Sequence, residues 1–90
     1  MTYIIYTKSG CPNCDRVKYL LSKEPCERIY FNCDELLETD REAFINSMRK
    51  KTGIEEPQPI YFPLVFLDDT YIGGYEDLLE HLIFEIKEEF

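Results

Sequence analysis

Residues 6–14 read Tyr6-Thr7-Lys8-Ser9-Gly10-Cys11-Pro12-Asn13-Cys14. The run that leads into this stretch, residues 3–6, is apolar and β-prone, so it predicts a buried strand that ends before the Ser9-Gly10 turn. Pro12 suits the first position of a helix, where its missing N–H costs nothing. The stretch therefore predicts a strand, a tight loop and a helix that begins between two cysteines.

The two cysteines of this stretch predict redox chemistry. Cys11 falls where the helix cap is expected, and Cys14 follows three residues later, so both sulfurs lie at the same helix end. Backbone N–H groups and the helix dipole favour a negative charge there, and only a thiolate attacks a disulfide. We therefore predict that Cys11 is the nucleophile and that Cys14 resolves the mixed disulfide. Lys8 adds positive charge on the approach.

The other two cysteines, Cys26 and Cys33, allow a different interpretation. Together with Cys11 and Cys14 they could hold zinc, but zinc sites usually contain a second close pair, and Cys26 and Cys33 are seven residues apart. The single histidine, His81, lies in a late helical pattern. We expect Cys26 and Cys33 to be buried or half-buried small apolar side chains, and we expect no metal.

Composition limits the classes of function. The chain has 90 residues, and we expect residues 1–90 to form a single domain. Its net charge of −8 argues against a general electrostatic grip on nucleic acid or on an anionic membrane. No apolar run approaches the roughly 18 residues that a membrane span needs. The N-terminus lacks a signal-peptide pattern, so a cytoplasmic location is expected.

The rest of the chain predicts alternating helices and strands. The first helix runs from 12 to about 23, and strands are expected at 28–31, 64–67 and 70–72. Thr39 and Glu42 form a capping box that predicts the start of a second helix, and Gly53 suits the residue just beyond its end. A third helix is expected from Glu76 onward, because apolar residues recur there at helical spacing, namely Leu78, Leu79, Leu82, Ile83 and Ile86. The order β-α-β-α-β-β-α predicts an α/β fold, a four-stranded mixed sheet flanked by three helices.

The whole chain resembles the dithiol glutaredoxins, which are small members of the thioredoxin superfamily. Residues 6–14 look like the active-site strand, loop and helix of that family. Phe62-Pro63-Leu64-Val65-Phe66 looks like the segment that opens the third strand with a cis-proline. Residues 72–78 look like the glutathione-binding turn before the last helix. The three segments occur in the family order and spacing, which implies a thioredoxin-like fold of the glutaredoxin type.

The resemblance also implies a glutathione-disulfide oxidoreductase. Such an enzyme reduces protein disulfides and glutathione mixed disulfides, with glutathione as the electron-donating co-substrate. Its partners would be glutathione and disulfide-containing or glutathionylated proteins, and we expect a monomer. The sequence departs from the family at three places. Asn13 replaces the usual Tyr, Tyr61 replaces a common Thr, and Pro59-Ile60 replaces a region where a basic side chain often helps to hold the glycine carboxylate. The positions that hold glutathione in the family are occupied here by Lys8, Phe62, Pro63, Gly74, Glu76 and Asp77.

Three alternative functions share the same fold. The simplest is an interaction protein that keeps the fold but not the chemistry, which an inert Cys11 towards an alkylating thiol reagent would support. The other two are active. One is an oxidoreductase that receives electrons from thioredoxin reductase, although such a protein would not need the turn at residues 73–77. The other is a carrier that holds a 2Fe–2S cluster between two chains through Cys11 and glutathione. Pro12 argues against this second alternative, because cluster-binding relatives tend to lack proline at that position.

Overall fold

A four-stranded mixed sheet forms the centre of the protein. The structure is a computed structural model that describes residues 1–88, with side chains as far as residue 83. The elements in chain order are β1 (Thr2–Thr7), α1 (Pro12–Ser22), β2 (Glu27–Asn32), α2 (Asp34–Thr39), α3 (Arg41–Thr52), β3 (Leu64–Leu67), β4 (Thr70–Gly73) and α4 (Tyr75–Glu88). The strands lie in the order β2-β1-β3-β4. β1 pairs with β2 in parallel and with β3 antiparallel, and β3 and β4 form a hairpin. The predicted α/β sheet is confirmed.

Different helices cover the two faces of the sheet. Side chains alternate along β1, so Ile5 faces α1 and α4 and packs with Val17 and Leu78. On the opposite face, α3 contributes Phe44 and Met48 to a second apolar cluster. All five side chains are buried. This two-sided packing places the start of α1 and the start of α4 at the same face of the sheet.

The number of helices differs from the sequence prediction. Two helices, α2 and α3, lie between β2 and β3, where one was expected. The predicted capping box is wrong: the Thr39 hydroxyl donates to the Glu35 carbonyl at 2.8 Å, and Asp40 is the residue that precedes α3. The six residues of α2 span less than two turns, which is too short for an apolar period to be visible. The end of the predicted helix is confirmed, because Gly53 adopts φ +80° directly after α3.

The last helix starts one residue earlier than predicted and buries Leu78 and Leu82. Ile86, which the sequence pattern assigned to the same apolar face, lies beyond the side chains that the structure describes. Within residues 1–88, no helix combines the length and the apolar character needed to cross a membrane.

The turn between β1 and Cys11 is tied to the start of α2. The Asp34 carboxylate accepts the Ser9 N–H at 2.9 Å, and its second oxygen accepts the Ser9 hydroxyl. One residue earlier, the Cys33 N–H donates to the Thr7 carbonyl at 2.8 Å. The hydrogen bonds from Ser9 lower the pKa of the Asp34 carboxyl, and the charge of Lys8 adds to this effect. Residues 7–9 are therefore held in place immediately before the cysteine motif.

Replacing Asp34 with alanine should destabilise the fold in a pH-dependent way. The folded-state pKa of Asp34 is lowered, so its carboxylate stabilises the fold above the unfolded pKa of about 3.9, and this contribution disappears as the pH falls through the folded pKa. In urea titrations, the loss of unfolding free energy in Asp34→Ala should be largest near pH 7 and should shrink as the pH falls below the unfolded pKa of about 3.9.

Glu35→Ala is the matched control for this prediction. It removes a carboxylate from the same first turn of α2 but leaves the contact with Ser9 intact. We expect a smaller loss of stability than for Asp34→Ala. Equal losses in the two variants would show that the helix dipole, and not the link to Ser9, is the source of the stability.

Candidate active site

Cys11 and Cys14 lie at the N-terminus of α1, as the sequence predicted. Cys11 is the N-cap residue, with an extended backbone (φ −114°, ψ 99°), and its Sγ accepts the backbone N–H of Cys14 at 3.1 Å. The two residues form a disulfide, and their Cα atoms are 5.2 Å apart. Cys11 is 8% exposed, whereas Cys14 is 1% exposed. Of the two sulfurs, Cys11 is therefore the one that an incoming disulfide can reach, and Cys14 lies behind it.

Cys11 opens into a groove of about 520 Å³, named here the Cys11 groove. Its walls are the loop before α1, the first turns of α1 and residues 60–62. The two charged residues in this lining, Lys8 and Arg16, are both cationic. The Nζ atom of Lys8 lies 5.7 Å from the centroid of the Phe62 ring. The Cys11 groove therefore suits a ligand that carries a negative charge close to the reactive sulfur.

A second groove of about 400 Å³, named here the α4 groove, adjoins the first. It ends at the beginning of α4, where its lining includes the carboxylates of Glu76 and Asp77. Pro63 and Gly74 contribute to its wall, and the Phe62-Pro63 peptide bond is cis, as predicted. Three residues line both grooves: Asn13, Tyr61 and Phe62.

The structure brings all the predicted site residues together. They come from three distant segments: the loop after β1, the residues before β3 and the start of α4. Cys14 is bonded to Cys11. The others line one or both grooves, namely Lys8, Cys11, Phe62, Pro63, Gly74, Glu76 and Asp77. Charge is divided between the grooves, with cations beside the sulfur and carboxylates at α4.

Gly73 is a structural requirement of the site that sequence analysis missed. Its φ of +133° is a conformation that L side chains rarely adopt, and a Cβ atom at this position would overlap the Asp77 side chain. The same Asp77 carboxylate accepts the Gly74 N–H at 3.1 Å. Gly73 thus allows the tight turn in which Asp77 bonds back across the first turn of α4. The Gly73-Gly74 pair signals such a turn, but only the structure shows which glycine has the positive φ.

Arg16 is a second residue of the site that sequence analysis missed. Its guanidinium donates to Oδ1 of Asn13 at 2.7 Å and lies 5.9 Å from the centroid of the Tyr75 ring. The spacing of three residues between Asn13 and Arg16 places both on the same helix face, and this was the available sequence signal.

The remaining cysteines lie outside the grooves. Cys33 is buried and Cys26 is half-buried, as expected, and neither is in a disulfide. Burial raises the pKa of the Cys33 thiol, which keeps it protonated and poorly reactive at neutral pH. Within the part of the chain that the structure describes, no three His, Cys, Asp or Glu side chains come together in a group that could hold a metal ion.

A disulfide between a helix-capping cysteine and the cysteine three residues later, on a four-stranded mixed sheet, defines a thiol–disulfide oxidoreductase of the thioredoxin-like class. Glutaredoxin 1 of Rickettsia bellii is 35% identical over 77 residues, which cover 86% of this chain and 72% of that protein. Glutaredoxin 1 of Escherichia coli is 32% identical over 78 residues, which cover 86% of this chain and 87% of that protein. The chain belongs to the glutaredoxin family.

Solved structures agree with this assignment. The structure of reduced Escherichia coli glutaredoxin has a TM-score of 0.69 and 28% identity, covering 97% of this chain and 99% of that one. The buckwheat glutaredoxin–glutathione complex has a TM-score of 0.68 and 26% identity and covers 87% of this chain. The match spans 64% of the buckwheat chain, slightly less than two thirds of its length. No family model matches the sequence.

Replacing Gly73 with alanine should disrupt the start of α4. The positive φ and the overlap with Asp77 together predict a loss of about 1–3 kcal/mol in unfolding free energy. Gly74→Ala is the matched control, because its Cβ would lie 3.7 Å from the Pro63 carbonyl oxygen, an ordinary contact. Urea denaturation should therefore show a clearly smaller loss for Gly74→Ala. Similar losses in the two variants would contradict the role assigned to Gly73.

Proposed function

We propose that this protein is a glutathione-dependent thiol–disulfide oxidoreductase that reduces protein disulfides and glutathione mixed disulfides. The observation that carries this proposal is the position of the Cys11 sulfur, which caps α1, accepts the Cys14 amide and lies at the cationic groove. In the reduced protein, the amide and the helix dipole stabilise a thiolate at Cys11 more than a thiol. Cys11 is therefore the nucleophile, and Cys14 is the resolving cysteine.

The divided charge of the two grooves matches the two ends of glutathione. Its glycine carboxylate pairs with Lys8, and the backbone N–H and C=O of Phe62 pair with its cysteinyl part, as in the addition of a short strand. At the other end, backbone N–H groups in the first turn of α4 receive the γ-glutamyl carboxylate. Glu76 and Asp77 face its ammonium group, and the backbones of Pro63 and Gly74 form the wall between the two ends.

The catalytic cycle is an exchange of disulfide bonds. The Cys11 thiolate attacks one sulfur of the partner disulfide, which forms a Cys11–partner disulfide, breaks the partner's own bond and releases its other sulfur as a thiol. Cys14 then loses its proton and attacks the Cys11 sulfur. This step releases the second partner thiol and forms the Cys11–Cys14 disulfide. Two molecules of glutathione reduce that disulfide and become glutathione disulfide, so two electrons pass from glutathione to the partner.

A relative supports the choice of electron donor. The buckwheat glutaredoxin was solved as a complex with glutathione, and this chain shares its fold. We extend glutathione binding to this chain on that basis, together with the charge of the two grooves. We also propose that the protein is cytoplasmic, monomeric and folded as a single domain. Its partners are disulfide-containing or glutathionylated proteins.

A comparison of electron donors tests the proposal. The protein is given a peptide disulfide and NADPH, with either glutathione and glutathione reductase or thioredoxin reductase alone. We expect sustained oxidation of NADPH only with glutathione, and none when Cys11→Ser replaces the wild type. Turnover with thioredoxin reductase and not with glutathione would contradict the proposal and favour the alternative donor.

The two cysteine variants should separate the two activities. Cys11→Ser should abolish all exchange, because a serine hydroxyl is not ionised at neutral pH and cannot attack a disulfide. Cys14→Ser should keep the reduction of glutathione mixed disulfides, since a second glutathione can resolve the intermediate, and should lose most reduction of protein disulfides. Both rates are measured through NADPH oxidation. Residual turnover in Cys11→Ser would refute its role as nucleophile.

A further inference from the structure

The proposed catalytic cycle assigns no role to Arg16, which is a charged residue of the site. It lies on α1, one turn after Asn13, and it lines the Cys11 groove together with the reactive cysteine. Its guanidinium donates to the amide oxygen of Asn13 at 2.7 Å and lies 5.9 Å from the centroid of the Tyr75 ring. Both partners are uncharged, so neither of them neutralises the positive charge that Arg16 brings to the groove.

The neighbouring cations are placed differently. The Nζ of Lys8 lies over the Phe62 ring, and its charge also acts on Asp34. Lys18, two residues after Arg16, has its Nζ 5.6 Å from the centroid of Tyr30 in β2 and does not line the Cys11 groove. Residues two apart on a helix point to different sides. Arg16 is thus the cation that α1 contributes to the reactive sulfur.

We propose that Arg16 determines specificity by binding a carboxylate of the disulfide partner, so that the protein prefers target cysteines with an acidic residue beside them. This inference rests on the proposed function, in which Lys8 and the start of α4 hold the two ends of glutathione. Because those residues already contact glutathione, Arg16 is available to contact the partner protein, which is the other half of the mixed disulfide. A guanidinium carries five N–H donors, so a hydrogen bond to Asn13 leaves others available for a bidentate carboxylate contact.

The hydrogen bond to Asn13 also orients the guanidinium before the partner arrives. A long side chain that is already held in one position loses less conformational freedom when it binds. Asn13 lines both grooves, so it fixes Arg16 at the border between them, next to Cys11. Asn13 is therefore the positioning residue for the specificity of Arg16.

The net charge of the protein limits the preference for acidic residues to positions close to the target cysteine. The net charge of −8 repels an acidic partner at long range. The described lining of the Cys11 groove contains cations and no carboxylate, so attraction is confined to groups within reach of the sulfur. The relevant feature of a partner is therefore the residue next to its cysteine, and not its overall charge.

Glutathionylated peptides that differ in one residue test the inference. Three peptides carry Asp, Ala or Lys directly after the glutathionylated cysteine, and kcat/KM is measured with glutathione as the donor and corrected for the uncatalysed reaction. The wild type should prefer the Asp peptide over the Lys peptide by about threefold to fivefold, as expected for an exposed ion pair. The preference should decrease at high salt and should fall to about one in Arg16→Gln.

Matched variants identify the source of the preference. Lys18→Gln removes the same charge from the same helix outside the Cys11 groove, and it should keep the wild-type ratio. Asn13→Ala removes the acceptor that holds Arg16, so the ratio of kcat/KM between the Asp and Lys peptides should fall partway towards one. Arg16→Lys keeps the charge, so it should also retain part of the wild-type ratio. A wild-type ratio of one, or an equal loss in Lys18→Gln and Arg16→Gln, would overturn the inference.

A fourth substrate separates the partner from glutathione. In the mixed disulfide of glutathione and mercaptoethanol, glutathione carries all the carboxylates. If Arg16→Gln lowers turnover of this substrate and of all three peptides by the same factor, Arg16 acts on glutathione and the inference is wrong. Failure of the wild type to reduce this substrate with glutathione would instead refute the proposed function itself.

Discussion

The hydrogen bond from the Cys14 amide to the Cys11 sulfur is the interaction on which the site depends. It forms because Cys11 is the N-cap residue of α1, where the backbone N–H groups of the first turn face the cap. The Cys14 N–H is shared between the Cys11 sulfur and the Cys11 carbonyl oxygen, each at 3.1 Å. An N-cap side chain usually satisfies such a group with oxygen. Here a sulfur does so, and the same contact that caps the helix supports the role of nucleophile that we propose for Cys11.

The order of strands explains how one cysteine meets so many distant residues. β1 lies between β2 and β3, so the loop that follows it borders both the end of β2 and the segment before β3. On one side, Asp34 holds Ser9 by two hydrogen bonds. On the other side, the ring of Phe62 lies under the ammonium of Lys8. The start of α4 completes the site because the β3–β4 hairpin returns the chain to the same edge.

The charges that line the two grooves differ from the net charge of the protein. The chain is strongly acidic, which opposes binding to most anionic partners. Lys8 and Arg16 nevertheless form a cationic border beside Cys11, and Glu76 and Asp77 form an anionic border at α4. We propose glutathione as the ligand because its carboxylates and its ammonium group match this division of charge. We infer from the same pattern that Arg16 acts on groups close to Cys11, an effect that the total charge does not reveal.

Local sequence was sufficient to predict the strands, the start of α1 and the position of Cys11 and Cys14 at the end of that helix. Turn residues, apolar periods and caps act over only a few positions. Local sequence did not reveal α2, whose six residues are too few for a period, and it placed the cap of the following helix at Thr39 instead of Asp40. The positive φ of Gly73, the tie between Ser9 and Asp34 and the location of Arg16 became visible only in the folded protein. These features depend on how distant segments pack: they are a backbone conformation at a turn, a contact between residues 25 positions apart and the lining of a groove. A linear pattern carries little information about that packing.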